Sequence, residues 1–185
     1  QCLLQRKPKT LAINVAGRLG HGVSAKDLVL GIIGKIGVNG GTGHVIEYRG
    51  EAIEDLGMDA RMTVCNMSIE AGARAGLIAP DDTTYEYLRN RPRAPRGKDW
   101  DVALKRWQQL YTDDGARFDK SVDVDASKLK PMVTFGTHPG MVVGIDEPVP
   151  DHSSDPSFRK ALNYMQVEAG KPMTQTSVDV VFLGS

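Results

Sequence analysis

Apolar and polar positions alternate over residues 10–15, with enough β-branched side chains to predict a strand. After a glycine-bearing turn at 20–22, Ser24-Ala25-Lys26-Asp27 has the form of a helix start. Ser24 can cap, and Asp27, three residues on, sits near the positive end of the helix. Val29, Ile32, Ile33 and Ile36 follow at helical spacing and define a buried face, with Gly37 as the stop. Residues 44–48 predict a strand, 59–75 a second helix, and 77–79 a short buried strand ahead of Pro80. Asp81 or Asp82 can cap a short helix through Leu88, and Asp99 can cap the next, whose Ala103, Trp107, Leu110 and Tyr111 share a face. Valine and aspartate alternate over 121–125, a half-exposed strand.

Beyond Pro131 the pattern changes. Residues 132–145 are extended and turn-rich, and 146–156 hold three prolines and four acids, as a linker or surface loop does. A short amphipathic helix over 158–167 and a final strand after Pro172 complete the pattern. Helices alternating with short strands place the chain in the α/β class.

Composition narrows the function classes. The 185 residues suffice for one domain, or one domain and part of another. Lys+Arg and Asp+Glu each total 23, so no charge excess marks a nucleic-acid or anionic-membrane surface. The apolar runs are too short to span a bilayer. Two cysteines, Cys2 and Cys65, make no disulfide framework, which accords with a reducing cytoplasm. The chain opens on Gln1 and closes where a strand meets a turn at Gly184 and Ser185, the pattern of an internal piece of a longer protein.

Several groups are candidates for chemistry. On a helix through 75, Asn66 and Glu70 stand four apart on one face, with Met62 and Arg74 extending the row. They could jointly orient a bound water, hydroxyl or carboxyl group, or form a solvated surface pair. Gly40-Gly41-Thr42-Gly43 could offer amides to an anion or make a tight turn. It lacks a phosphate-loop ending and precedes a strand, the wrong order for a dinucleotide fingerprint. His44, His138 and His152 form no metal spacing with either cysteine, and Cys65 fits a buried inert thiol better than a nucleophile. The loop with Arg89, Arg91, Arg93, Arg96 and Lys98 is basic, either solvated or facing an acidic surface.

In order along the chain stand Ala25-Lys26-Asp27, then Gly40-Gly41-Thr42-Gly43-His44-Val45-Ile46-Glu47-Tyr48, then Asn66-Met67-Ser68-Ile69-Glu70-Ala71-Gly72-Ala73, then Leu77-Ile78-Ala79-Pro80-Asp81. This ordered set resembles the aconitase superfamily. His44 after the glycine loop, Ala79-Pro80-Asp81 and Ala94-Pro95-Arg96-Gly97-Lys98-Asp99 resemble its isopropylmalate dehydratase large-subunit branch.

The resemblance implies a three-layer α/β/α aconitase-type domain, the second of its protein, over residues 8–135. A linker over 136–157 and the truncated start of the third domain over 158–185 would follow. It implies a hydro-lyase that interconverts 2-isopropylmalate and 3-isopropylmalate by dehydration and rehydration in leucine biosynthesis. A separate small subunit would be the partner, and neither nucleic acid nor membrane is implied. Asn66 and Glu70 match the family residues beside a [4Fe–4S] cluster and its bound water. Gly184 and Ser185 match the pair just before the first cluster cysteine. No cluster ligand falls within this chain, so the piece alone is expected to bind no cluster and to be inactive. Homoaconitase, citraconate hydratase and a non-catalytic binding chain are the competing expectations.

Overall fold

The computed structural model describes residues 2, 4–152 and 154–184. Its centre is β1 (Lys9–Ala16), where Leu11, Ile13 and Val15 are fully buried on one side. β1 pairs in parallel with β2 (His44–Arg49) and with β4 (Lys120–Asp125), and β2 pairs in parallel with β3 (Ala75–Leu77). The sheet order is β3-β2-β1-β4. Parallel neighbours require long crossovers, and helices supply them. α1 (Ala25–Ile36) joins β1 to β2, α2 (Glu51–Glu54) and α3 (Met58–Asn66) join β2 to β3, and α4 (Asp82–Leu88) and α5 (Lys98–Trp107) join β3 to β4. This is the α/β class that the alternation of elements predicts.

The core lies between the sheet and α1, α2 and α3. Leu28, Val29, Ile32 and Ile33 of α1 meet Leu11, Ile13, Val15, Ile46 and Tyr48, with Ile53 and Val64 beside them. Each large apolar side chain buried here contributes about 1.5–3 kcal/mol. The opposite sheet face carries polar residues beside Ala12 and Val45. Asn14 donates from Nδ2 to Ser121 Oγ at 3.0 Å and to Asp123 Oδ1 at 2.8 Å. Glu47 accepts from Thr112 Oγ1 at 2.6 Å and pairs with Arg49 at 3.3 Å.

A hairpin of β5 (Met132–Thr134) and β6 (Val142–Gly144) packs against α1. Its Met141 and Val143 join Phe135, Val149 and Ala161 and Leu162 of α6 (Pro156–Met165) in a second apolar cluster. The start of α1 is tied to this hairpin. Ser24 and Asp27 form a reciprocal capping box, and Asp27 Oδ1 also accepts the Met132 backbone N–H at 2.7 Å. Among the described residues, no helix is long and apolar enough to cross a membrane.

These sequence expectations are corrected. The short buried strand expected over 77–79 is β3, whose residues are half-buried or exposed rather than buried. The helix expected to carry Leu110 and Tyr111 on a shared face ends at Trp107, and both of those residues are exposed. The helix expected over 59–75 ends at Asn66, because the small residues after it turn back against a glycine loop and a strand. Asp99 lies in the first turn of α5 rather than at its cap, which is Gly97. Among the described residues, no strand forms after Pro172. A single 3-10 turn (Met173–Gln175) is followed by exposed chain, since no neighbouring strand offers a ladder to residues 178–183.

Burial acts to raise the Asp27 pKa, but hydrogen bonds from Met132 and Ser24 and from its own backbone outweigh it and hold the carboxyl below its usual 3.8. A depressed folded-state pKa stabilises the fold above the unfolded value, and that contribution is lost as pH falls through the folded one. Asp27→Ala should therefore cost about 1–2 kcal/mol at neutral pH. In urea unfolding, the gap to wild type should close below about pH 4. A gap constant from neutral to strongly acidic pH would contradict this account.

Candidate active site

Asn66 and Glu70 are placed by what holds α3 and the turn after it. Near its start, α3 is anchored by Arg61, which is 3% exposed. Its Nη1 and Nη2 donate to the two oxygens of Asp81 at 2.6 and 2.7 Å, its Nη2 also to Glu54 O at 2.7 Å, and its Nε to Leu56 O at 2.8 Å. Asp81 in turn caps α4 through the Thr84 N–H. Burial raises the Asp81 pKa, but the Arg61 guanidinium and the amides of Thr84 and Thr83 reverse this and hold it below the usual carboxylate value. One guanidinium thus joins the β2–α3 connection, α3 and the start of α4.

After Asn66 the chain turns. Ser68 N–H bonds to Cys65 O, Gly72 N–H to Ile69 O and Ala73 N–H to Ser68 O. Gly72 has φ 79°, a left-handed conformation that a side chain disfavours, and a Cβ there would lie 2.8 Å from Val38 O. The turn meets the amino end of β2, where Gly41 N–H bonds to Ala71 O at 2.8 Å and Arg74 N–H to His44 O at 2.9 Å. Asn66 is the last residue of α3 and Glu70 lies within the turn, so the two are not successive rungs of one helical row, and Met62 and Arg74 do not extend it. Both are exposed, and among the described residues neither side chain has a hydrogen-bonding or ionic partner.

The other candidates fall into structural roles. The N–H groups of Gly40, Gly41 and Thr42 bond to Gly37 O, Ala71 O and Asn39 O, so they form no free cradle for an anion. His44 Nδ1 donates to Thr42 O at 2.9 Å, and His138 Nδ1 accepts the Gly140 N–H at 3.2 Å, each a turn contact. Burial pushes the Cys65 thiol up more than neighbouring Arg61 draws it down, which keeps it protonated at neutral pH. In the basic loop, Arg89 pairs with Glu86 and lies over Trp100, and Arg91 lies over Tyr87. Gly184 belongs to no element, and Ser185 lies outside the described residues. Among the described residues no three His, Cys, Asp or Glu side chains are grouped to hold a metal.

A cavity of about 230 Å³ opens at the carboxyl ends of β2 and β3, the usual ligand position in an open parallel sheet. Its charged groups are already engaged. Glu47 binds Thr112 and Arg49, Glu54 accepts from Tyr111 Oη at 3.4 Å, and Asp81 holds Arg61. The unengaged polar pair is on the turn that meets the amino end of β2 instead.

The aconitase family (aconitate hydratase) model matches residues 1–185, and the chain belongs to this family. It is similar to proteins named 3-isopropylmalate dehydratase large subunit. Identity is 59% to that of Solibacter usitatus, covering all of this chain and 41% of the relative. It is 57% to that of Anaeromyxobacter dehalogenans and 54% to that of Roseiflexus castenholzii, each covering all of this chain and 40% of the relative. The chain therefore spans about 40% of the length of the curated relatives it matches. The parallel sheet with its crossover helices accords with an aconitase-type α/β/α domain.

Sequence spacing missed Arg61 as the anchor and Ser68 as the root of the turn, because each partner lies 20 residues away. The only local signal was Asp81 at a helix start. Arg61→Met should destabilise the chain by about 3–5 kcal/mol in chemical unfolding, since two carbonyls and a carboxylate lose their donors. The lower part of that range is expected, because the Asp81 side chain stays 31% exposed and can be rehydrated. A loss under about 1 kcal/mol, the size of a surface ion pair, would rule out an anchoring role.

Proposed function

We propose that this chain is part of the large subunit of a cytoplasmic hydro-lyase that interconverts 2-isopropylmalate and 3-isopropylmalate by dehydration and rehydration, in leucine biosynthesis. The observation that carries the reading is Asn66 and Glu70: two polar side chains without a hydrogen-bonding or ionic partner among the described residues, exposed at the end of α3 and on the turn after it, whose backbone is fastened to the amino end of β2 and the loop before it. The names of the relatives favour the reaction. Their designation as a large subunit favours a separate small subunit as partner.

The chemistry needs a group that receives a departing hydroxyl and returns it. Aconitase-family enzymes generally carry a [4Fe–4S] cluster, which supplies Lewis acidity when bound. The side chains of this chain do not fit it. Thiolates are required, whereas Cys65 is half-buried with a raised pKa, Cys2 is exposed, and among the described residues no cluster of ligating groups surrounds either. The ligands belong to other parts of the enzyme. What this chain contributes is orientation. The Glu70 carboxylate accepts hydrogen bonds from a substrate hydroxyl or a water, and the Asn66 amide both donates and accepts. Placed at the end of α3 and on the turn that follows it, they fix the direction in which the water leaves and returns.

In the complete large subunit assembled with its small subunit, Glu70→Gln should lower kcat by roughly 10²–10⁴-fold, with the fold intact by circular dichroism. Wild-type turnover would remove Glu70 from the reaction. Reconstitution of the 185-residue chain alone with iron and sulfide should leave no cluster bound after desalting. Retained iron in stoichiometric amount would contradict the placement of the ligands elsewhere.

A further inference from the structure

From Asn66 to Glu70, across the end of α3 and the start of the turn, one side chain is buried. Over residues 66–70 the pattern is exposed, half-buried, buried, exposed, exposed, and the buried residue is Ser68, two positions from each candidate group. Ser68 sits in a slot made by Gly76 of β3, where any Cβ would collide with its hydroxyl. On the other side it meets Tyr48, with Tyr48 Oη 2.9 Å from Ser68 Oγ. Ser68 Oγ also donates to Val64 O at 3.4 Å, so the serine hydrogen is used and the Tyr48 hydroxyl is the donor between them.

Tyr48 is itself immobile. It is 1% exposed and stands in β2, pairing in register with Ile13 of β1. A hydroxyl on a central strand thus reaches the middle of the turn, and no other side chain in 66–70 hydrogen-bonds to the sheet. Burial pushes the Tyr48 hydroxyl up to about 12, the Ser68 bond lowers it, and Cys65 and Glu70 raise it further. The Glu70 carboxylate therefore lies within electrostatic reach of this hydroxyl, and the tyrosine stays protonated and donating at neutral pH.

We infer that Tyr48, through its hydrogen bond to Ser68, is a positioning residue that sets the orientation of the end of α3 and the following turn, which carry Asn66 and Glu70. This rests on the proposed role of Glu70. Tyr48 does not touch the reacting atoms; it fixes the backbone from which the reacting side chains project. Preserved packing with loss of the single bond should loosen that backbone without unfolding the sheet.

The test is Tyr48→Phe, with Ser68→Ala removing the same bond from its other end, in the complete two-subunit enzyme and in the cluster-free large subunit. In the cluster-free protein, amide exchange over residues 66–73 should accelerate while residues 11–15 and 28–33 keep wild-type protection. In the assembled enzyme, kcat should fall roughly 10- to 100-fold with KM changed less than about threefold. Tyr48→Phe added to Glu70→Gln should slow it little further, since both act through one group. Unchanged exchange over 66–73, acceleration spread evenly over sheet and turn, or fully multiplicative losses in the double variant would each overturn the inference. If Glu70→Gln alone retains wild-type turnover, the catalytic reading of Glu70 fails, while the exchange measurement still decides whether Tyr48 holds the turn.

Discussion

The guanidinium of Arg61 is the constraint on which the arrangement of helices depends. In water, a surface arginine and aspartate would gain little from meeting, because solvent screens them and two flexible chains must be ordered. Here the arginine is almost wholly enclosed, and its remaining donors are spent on backbone carbonyls that would otherwise be stranded at the end of α2. The planar fork suits this task and an ammonium would not, since two parallel bonds to one carboxylate fix direction as well as distance. α3 can then point only one way, and the turn that follows it emerges at the amino end of β2.

Local chemistry was legible in the sequence where the determinants were neighbours. Ser24 and Asp27 announce α1 because each satisfies the other's backbone within three residues. Leu11, Ile13 and Val15 announce β1 because the period of two is carried by adjacent positions. Asp81 announces α4 for the same reason as Ser24. The end of α3 was hidden. Residues 71–76 are alanine, glycine and one arginine, which a helix tolerates. What stops it is tertiary: the amide of Gly41 bonding to Ala71 and the slot at Gly76 that receives Ser68. A final strand after Pro172 was expected from the pattern of residues, but strands need partners and, among the described residues, none adjoins this stretch.

The candidate site was legible in a different way. Asn66 and Glu70 were singled out as a helical pair, and the structure withdraws that geometry, since the helix stops at the first of them. Their interest survives through the family resemblance and through their lack of partners, not through periodicity. The anchors beneath them left no trace in spacing, because a tyrosine on a strand and a serine 20 residues later follow no local rule. Membership of the aconitase family gives the parallel sheet its context.

The exposed run at residues 178–183 has a consequence for the chain as a material. Val178, Val180, Val181, Phe182 and Leu183 are each more than two-thirds solvent-exposed, with Asp179 as the one charge among them. Five apolar residues around one aspartate, with no proline, are the composition of a cross-β zipper, in which copies of one segment stack and satisfy each other's backbones. In the 185-residue chain, such a segment offers its copies unpaired backbone to stack on. A lysine or proline placed within it would act as a gatekeeper without touching the core.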